Sequence, residues 1–385
     1  MTTPGKKRDL RFYFTREPMM LALLFALAVL SFVGVTGLSR LYHAQQESLG
    51  NRWFARGVAD LEQQRFDRAV SEFRTALLYS RDNYSYQRNL AEALIGMKRT
   101  NEAFAYLINL WEREPENGLV NRELARIAAQ RGEREAALRY YHNSIYATWP
   151  GDQEAERRKT RLELIEFLLS TGDKTQAQSE LIALAANLGD DPSQQARAGD
   201  LFLQAQDYEH ALAEYRLSLK SGHHHPAALA GAGSAAFELG RYALAQHYLQ
   251  AAVTADPSDA QSATRLRTTE LVLRMDPFRR QLSVVERNRI VVEAFTAAGQ
   301  RLKSCSVSND STGSQRPATA PQDLAESWTK LRPKISERSL QRDPDSVEAA
   351  MDLVFRIERQ TASACGPPTE TDTALLLISK LHEGS

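Results

Sequence analysis

Residues 51–82 read NRWFARGVADLEQQRFDRAVSEFRTALLYSRD, and this stretch holds the pattern that decides the fold. It contains an alanine that recurs along the chain at a nearly fixed interval. The recurring residues are Ala69, Ala103, Ala137, Ala177, Ala211 and Ala245, at spacings of 34, 34, 40, 34 and 34. A 34-residue period is typical of stacked helical hairpins. The spacing therefore predicts an all-α chain of repeated hairpins.

Six units follow when the recurring alanine is taken as position 20 of each unit. They begin at residues 50, 84, 118, 158, 192 and 226. Position 8 is also small in five units, and Ile165 replaces it in the fourth. The five small residues are Gly57, Ala91, Ala125, Gly199 and Gly233. The pattern resembles the tetratricopeptide repeat family across 50–259, and the resemblance implies a right-handed α-solenoid of about six hairpins.

The turns of the array carry their own signals. Gly132, Gly172 and Gly240 lie between the two helices of a hairpin, where a left-handed backbone is often needed. The 40-residue step hides six extra residues near 149–157. These residues predict a turn at 150–152, followed either by a lengthened first helix of the fourth unit or by a loop.

The repeat pattern fades after residue 259. Residues 260–305 predict a pair of helices that caps the end of the array. Residues 306–322 are rich in Ser, Thr, Pro and Gly and predict a flexible linker. Residues 323–385 predict a C-terminal helical segment with short apolar stripes, which packs either on the array or on a partner.

A membrane segment precedes the array. Residues 18–39 contain no charge, and Met19–Leu38 would span about 30 Å as a helix. The basic tail 1–17 holds five Lys or Arg residues against two acidic ones. This bias predicts a single-pass helix in the cytoplasmic (inner) membrane, with the tail inside and the repeats on the periplasmic or extracytoplasmic side. A cleaved signal peptide is the alternative, although this apolar core is longer than such peptides usually have.

In the resembled family, the first helix of each unit lines a concave groove, chiefly through positions 2, 5, 9, 12 and 13. Carried over, the groove residues are Phe54, Val58, Arg88, Glu92, Arg122, Arg126, Leu162 and Glu166. The three arginines suit an acidic peptide or a C-terminal carboxylate, which a guanidinium group can hold bidentately. The alternative is an ordinary solvated face, with Glu92 and Glu166 neutralising the arginines.

Other chemistry finds little support in the sequence. The 48 basic residues balance the 48 acidic ones, so no net charge attracts nucleic acid. There is no nucleophile elbow, P-loop, HExxH or CxxC motif. The stretch 231–236 fits a loose dinucleotide motif, but it lies within a predicted helix, and Gly233 is explained by helix packing. His223, His224 and His225 predict a solvated turn, with metal binding as the alternative. The chain is predicted to be no enzyme and to hold neither cofactor nor metal.

Two cysteines, Cys305 and Cys365, lie late in the chain. In the oxidising compartment that the predicted topology implies, a disulfide would tie the C-terminal segment to the cap. Two separate thiols are the alternative.

These observations predict a membrane-anchored scaffold for protein–protein interaction. It would act through the groove as an assembly factor or accessory subunit of a membrane complex, and Arg122→Glu would weaken partner binding. One alternative is a structural subunit held by the convex face and the C-terminal segment. Another is an accessory module of an envelope biogenesis or secretion system.

Overall fold

The computed structural model describes residues 16–149, 151–220, 225–311 and 319–382. Within these ranges it is helical, with no strand beyond one isolated bridge between Asn117 and Thr148. The predicted all-α hairpin fold is confirmed. Contacts divide the chain into two compact units, Met1–Leu164 and Ile165–Ser385.

The first unit is built of consecutive helical hairpins. Its helices are α1 (Arg16–Glu62), α2 (Phe66–Tyr79), α3 (Tyr84–Gly96), α4 (Thr100–Arg113), α5 (Gly118–Gln130) and α6 (Arg134–Tyr146), followed by the start of α7 (Gln153–Ser170). The recurring alanines Ala69, Ala103 and Ala137 are fully buried. A larger side chain at these positions would separate the two helices of a hairpin, so the repeat spacing reflects close packing.

Helix α1 combines two predicted elements. It runs without a break from the apolar stretch into the first helix of the first repeat. The apolar part has the length and composition to cross a bilayer or to act as a signal sequence, and none of it is buried within the structure. At 1.5 Å per residue, its 47 residues extend about 70 Å.

The second unit continues the hairpins and adds a C-terminal core. The helices of the hairpins are the rest of α7, α8 (Lys174–Ala185), α9 (Pro192–Gln204), α10 (Tyr208–Lys220), α11 (Pro226–Glu238) and α12 (Tyr242–Ala255). The helices that follow are α13 (Ala260–Met275), α14 (Val284–Ser311), α15 (Thr319–Leu331), α16 (Glu337–Arg342), α17 (Asp345–Ala364) and α18 (Glu370–His382).

Helices α13 to α18 share one apolar core. Leu353, Ile357 and Ile378 of the C-terminal segment are buried in it with Val291 and Phe295 of α14. The apolar stripes of this segment are therefore covered by the chain itself. The predicted linker 306–322 needs correction at its ends, because α14 extends to Ser311 and α15 begins at Thr319; residues 312–318 lie outside the described residues.

A polar clasp joins α14 to the turn between α17 and α18. The structure pairs Cys305 with Cys365 in a disulfide, with the Cα atoms 5.0 Å apart. One helical turn earlier, the guanidinium group of Arg301 donates to the carbonyl oxygens of Gly366 at 2.8 Å and Pro367 at 3.2 Å. It also forms an ion pair with Asp372 at 3.6 Å. The covalent and polar contacts hold the same turn against the same face of α14.

Glu358 lies within this core and is 1% exposed. Neither of its carboxyl oxygens has a hydrogen-bond partner among the described residues. Burial, and secondarily the nearby charge of Asp372, raise the pKa of Glu358 to about 8, although Arg301 opposes the shift. The side chain is therefore neutral near pH 7, because burial penalises its charged form.

The turns inside the hairpins follow one rule. Position 15 of every unit has positive φ: 74° at Gly132, 81° at Gly172 and 69° at Gly240. The same position is held by Gln64, Lys98 and Gln206 in the other units, with φ of 57°, 61° and 61°. The predicted left-handed turn is present at the glycines, and three non-glycine residues adopt it at a steric cost.

Candidate partner-binding site

The predicted aromatic end of the groove is part of the packing of the first unit. Phe54 stacks on Tyr86, with ring centroids 5.0 Å apart, and lies 5.7 Å from the ring of Phe73. The Tyr86 hydroxyl donates to Asn51 Oδ1 at 2.7 Å. Phe54 and Val58 are each half-buried. Phe54 therefore packs between the first two repeats.

Arg122 is already engaged within the chain. It is only 6% exposed. Its guanidinium group lies 4.7 Å from the centroid of the Trp149 ring and forms an ion pair with Glu156. Trp149 is itself 2% exposed, and its indole N–H donates to the Ser144 carbonyl oxygen at 2.9 Å. The extra residues before the fourth repeat thus supply both partners of Arg122, since α7 begins at Gln153.

Arg126 is similarly occupied. It forms ion pairs with Glu123 and Glu163, each at 2.5 Å. Burial raises the pKa of Glu123, while the charges of Arg126 and Arg122 oppose the shift. The hydrogen bond to Glu163 raises the pKa of Arg126, so the guanidinium group remains protonated. The predicted use of Arg122 and Arg126 as free carboxylate binders needs correction, because carboxylates of this chain already hold both.

The remaining predicted residues differ in their environments. Arg88 is half-buried, Glu92 is exposed, and neither forms an ion pair in the part of the chain that the structure describes. Leu162 is half-buried. In the second unit, Glu166 pairs with Arg197 at 3.0 Å, and both side chains are exposed. Among the predicted arginines, Arg88 is thus the one left available to a partner.

The second unit contains a cavity that the sequence reasoning missed. It has a volume of about 450 Å³ and lies among α9, α10 and α11. Its lining includes Ala196 and Asp200 of α9, Tyr215 of α10 and Ala227 of α11, with His225 just before α11. Pockets of about 300–1,000 Å³ with a few polar groups are typical of ligand sites. This cavity is therefore a candidate binding site in the second unit.

The sequence shows why space is left here. At position 5 of the 34-residue repeats, the first four repeats carry large side chains and the last two carry alanine. The six residues in order are Phe54, Arg88, Arg122, Leu162, Ala196 and Ala230. Position 2 is also small in the last two units, as Ser193 and Ala227. The loss of the large side chain at position 5 is the signal in the sequence that indicates this cavity.

Tyr215 forms a polar wall of the cavity. It is 1% exposed, and its hydroxyl donates to Asp200 Oδ1 at 2.5 Å. Burial, and then the hydrogen bond and charge of Asp200, raise the pKa of Tyr215, so the hydroxyl remains a donor. Gly231 makes room for this ring, because a Cβ there would lie 2.5 Å from Tyr215 Cε1. A side chain at position 231 would therefore displace the ring that orients Asp200.

The histidine cluster gives no metal centre among the described residues. No group of three or more His, Cys, Asp or Glu side chains within 16–149, 151–220, 225–311 and 319–382 is arranged to hold an ion. His210 hydrogen-bonds Asp207 at 2.7 Å. His223 and His224 lie outside the described residues, and His225 lines the cavity.

Comparison with known proteins agrees with the hairpin architecture. The family model described as tetratricopeptide repeat matches residues 54–111 and 196–260. The hairpins in these two ranges are tetratricopeptide repeats. The matched ranges lie in the first and second compact units, and the second range includes most of the cavity lining, from Ala196 onward. No curated protein matches the chain.

Several solved structures are similar. One is YrrB, a tetratricopeptide repeat protein with an unusual peptide-binding site, which is 13% identical with a TM-score of 0.41; the match covers 51% of this chain and 97% of YrrB. PilW, a type IV pilus biogenesis factor, is 16% identical with a TM-score of 0.40 and coverages of 57% and 98%. PilF of Pseudomonas aeruginosa is 15% identical with a TM-score of 0.39 and coverages of 59% and 98%.

Proposed function

We propose that this protein is a membrane-anchored, non-catalytic scaffold that binds partner proteins, as an assembly factor or accessory subunit of a membrane complex. The observation that most supports this proposal is the cavity of about 450 Å³ among α9, α10 and α11. It lies where first-helix positions 2, 5 and 9 face outward as Ser193, Ala196 and Asp200. A repeat array needs no such gap for stability, because close-packed interiors are favoured.

The anchor is the apolar part of α1, with the basic tail 1–17 in the cytoplasm. Exposed residues such as Leu24, Phe25 and Leu30 need an apolar environment, since the structure buries none of the stretch. The pairing of Cys305 with Cys365 supports an oxidising compartment for the repeats. The repeats then lie on the periplasmic or extracytoplasmic side of the inner membrane.

Binding at the cavity combines apolar burial with orientation by polar groups. Ala196, Ala227 and the Tyr215 ring offer apolar surface, and Asp200 offers a fixed acceptor. Fully burying one large apolar side chain contributes about 1.5–3 kcal/mol. Arg88 and Glu92, in the first helix of the second repeat, supply a second set of polar contacts for the same or another partner.

Filling the cavity tests this proposal. Ala196→Phe introduces the residue that Phe54 already places at position 5, so the helix should tolerate it. The control is Ala213→Phe, at an exposed alanine of α10 that does not line the cavity. Each tagged full chain is expressed in its native membranes, crosslinked, solubilised in detergent and quantified for bound proteins.

We expect Ala196→Phe to recover at least about tenfold less of a specific partner than wild type does, and Ala213→Phe to recover as much as wild type. Equal recovery of every partner by both variants would refute binding at the cavity. Circular dichroism of the two purified variants checks that the helices are retained.

A further inference from the structure

The charge of the cavity indicates what it binds. Three ionisable side chains line it besides Tyr215: Arg197, Asp200 and His225. The guanidinium group of Arg197 is paired with Glu166 at 3.0 Å. Asp200 has no ion-pair partner in the described ranges, and Tyr215 occupies only its Oδ1. The cavity therefore presents one uncompensated carboxylate beside an apolar space.

The position of Asp200 favours an approaching cation. Asp200 is exposed, whereas Tyr215 beneath it is buried. The tyrosine hydroxyl holds one carboxylate oxygen in place, so the other can accept a hydrogen bond from a ligand without a large loss of side-chain freedom. Hydrogen bonds between a cation and a carboxylate are about twice as strong as neutral ones.

The apolar lining of the cavity sets a second requirement for its ligand. Ala196, Ala227 and Ala228 line the cavity with small apolar side chains. An apolar cavity of about 150 Å³ accommodates benzene, so a volume of about 450 Å³ accommodates an aromatic or large aliphatic side chain with part of its backbone. Exposed residues of both α9 and α11 form the rim, so an extended chain can cross from one helix to the other.

Resting on the proposed scaffold function, we infer that the cavity binds a basic peptide segment of the partner. One aromatic or large aliphatic side chain enters the cavity, and an adjacent Lys or Arg pairs with Asp200. This specificity is opposite in charge to the acidic or C-terminal ligand that the groove arginines predict.

The test is a peptide selection on the full chain in lipid nanodiscs. A phage-displayed library of random dodecapeptides is selected against the wild-type chain, Ala196→Phe and Asp200→Asn. Asn retains an acceptor for the Tyr215 hydroxyl and removes the charge. Enriched peptides are then synthesised with the basic residue changed to Gln, and their affinities are measured by fluorescence anisotropy at two salt concentrations.

Wild-type selection should enrich peptides that pair a large apolar residue with a neighbouring Lys or Arg. Changing Lys to Gln should weaken binding to wild type by about three- to tenfold and have little effect on binding to Asp200→Asn, since the pair is then already broken. Ala196→Phe should enrich none of these peptides.

Three outcomes would overturn the inference: the same peptides enriching on Ala196→Phe, acidic peptides enriching on wild type, or an equal Lys-to-Gln effect in wild type and Asp200→Asn. Native mass spectrometry that finds a co-purified small molecule excluding the peptides would overturn it as well. If partner recovery from membranes still depends on position 196, the scaffold proposal stands while the basic specificity falls.

Discussion

Replacing Glu358 with Gln should remove a pH-dependent loss of stability in the C-terminal core. The buried carboxyl has a pKa of about 8, against 4.5 in the unfolded chain. Because the folded pKa is raised, the folded core binds the proton more tightly than the unfolded chain does. Stability is then complete below about pH 4.5, declines as pH rises towards 8 and is constant above that.

The size of this effect follows from the shift. A difference of about 3.5 pKa units at 1.36 kcal/mol each gives an upper bound of about 5 kcal/mol at pH 8 and above. Gln is neutral at every pH and has nearly the shape of protonated Glu. Glu358→Gln should therefore match wild type near pH 4.5 and exceed it by up to about 5 kcal/mol at pH 8.

The assay must report on this core alone, because the chain has two compact units. Trp328 packs on Phe295, with ring centroids 5.4 Å apart, and lies against the core. Its ¹⁹F resonance in a 5-fluorotryptophan-labelled full chain in micelles can follow urea unfolding from pH 4.5 to 9. Glu348→Gln, at an exposed position of α17, is the matched control. Parallel pH profiles for wild type and Glu358→Gln would refute the reasoning.

Three further changes should have measurable effects. Lys98→Gly should stabilise the first compact unit by up to about 1 kcal/mol, and Gly132→Ala should destabilise it by about as much, because both residues have positive φ. A lower urea midpoint for Lys98→Gly, or a higher one for Gly132→Ala, would contradict this. Gly231→Ala should cost about 1–3 kcal/mol by displacing Tyr215, seen as a lower melting temperature of the second unit, and an unchanged value would contradict the close packing. Joint Cys305→Ser and Cys365→Ser replacement should cost up to about 4 kcal/mol for the 60-residue separation, detected at the Trp328 resonance, and a midpoint equal to that of wild type would rule out the bond as a stabilising link.

The repeat architecture could be predicted because it depends on local size and spacing. Helices α3, α5, α9 and α11 begin at Tyr84, Gly118, Pro192 and Pro226, the residues at which the 34-residue frame starts its units. Each 34-residue repeat buries its small residues against its own second helix. A periodic pattern in one sequence is therefore enough to place them.

The electrostatics could not be predicted in the same way. The partner of Arg122 comes from the extra residues before the fourth unit, whose conformation the sequence left open between helix and loop. Once α7 begins at Gln153, Glu156 and Trp149 reach Arg122. Arg122→Glu, predicted to weaken partner binding, would also place a buried carboxylate beside Glu156 and destabilise the first compact unit. Arg88→Glu is the cleaner test of the first-unit face.

The unbroken course of α1 has a mechanical consequence. If its apolar end is fixed in lipid, the azimuth of the first hairpin above the membrane is set by helical register. Inserting one residue within 40–49 would rotate that hairpin by about 100° and lift it by about 1.5 Å. Inserting four would leave the hairpin rotated by only about 40° and raise it by about 6 Å. The direction in which this protein presents its repeats would thus be encoded by the residue count of one helix.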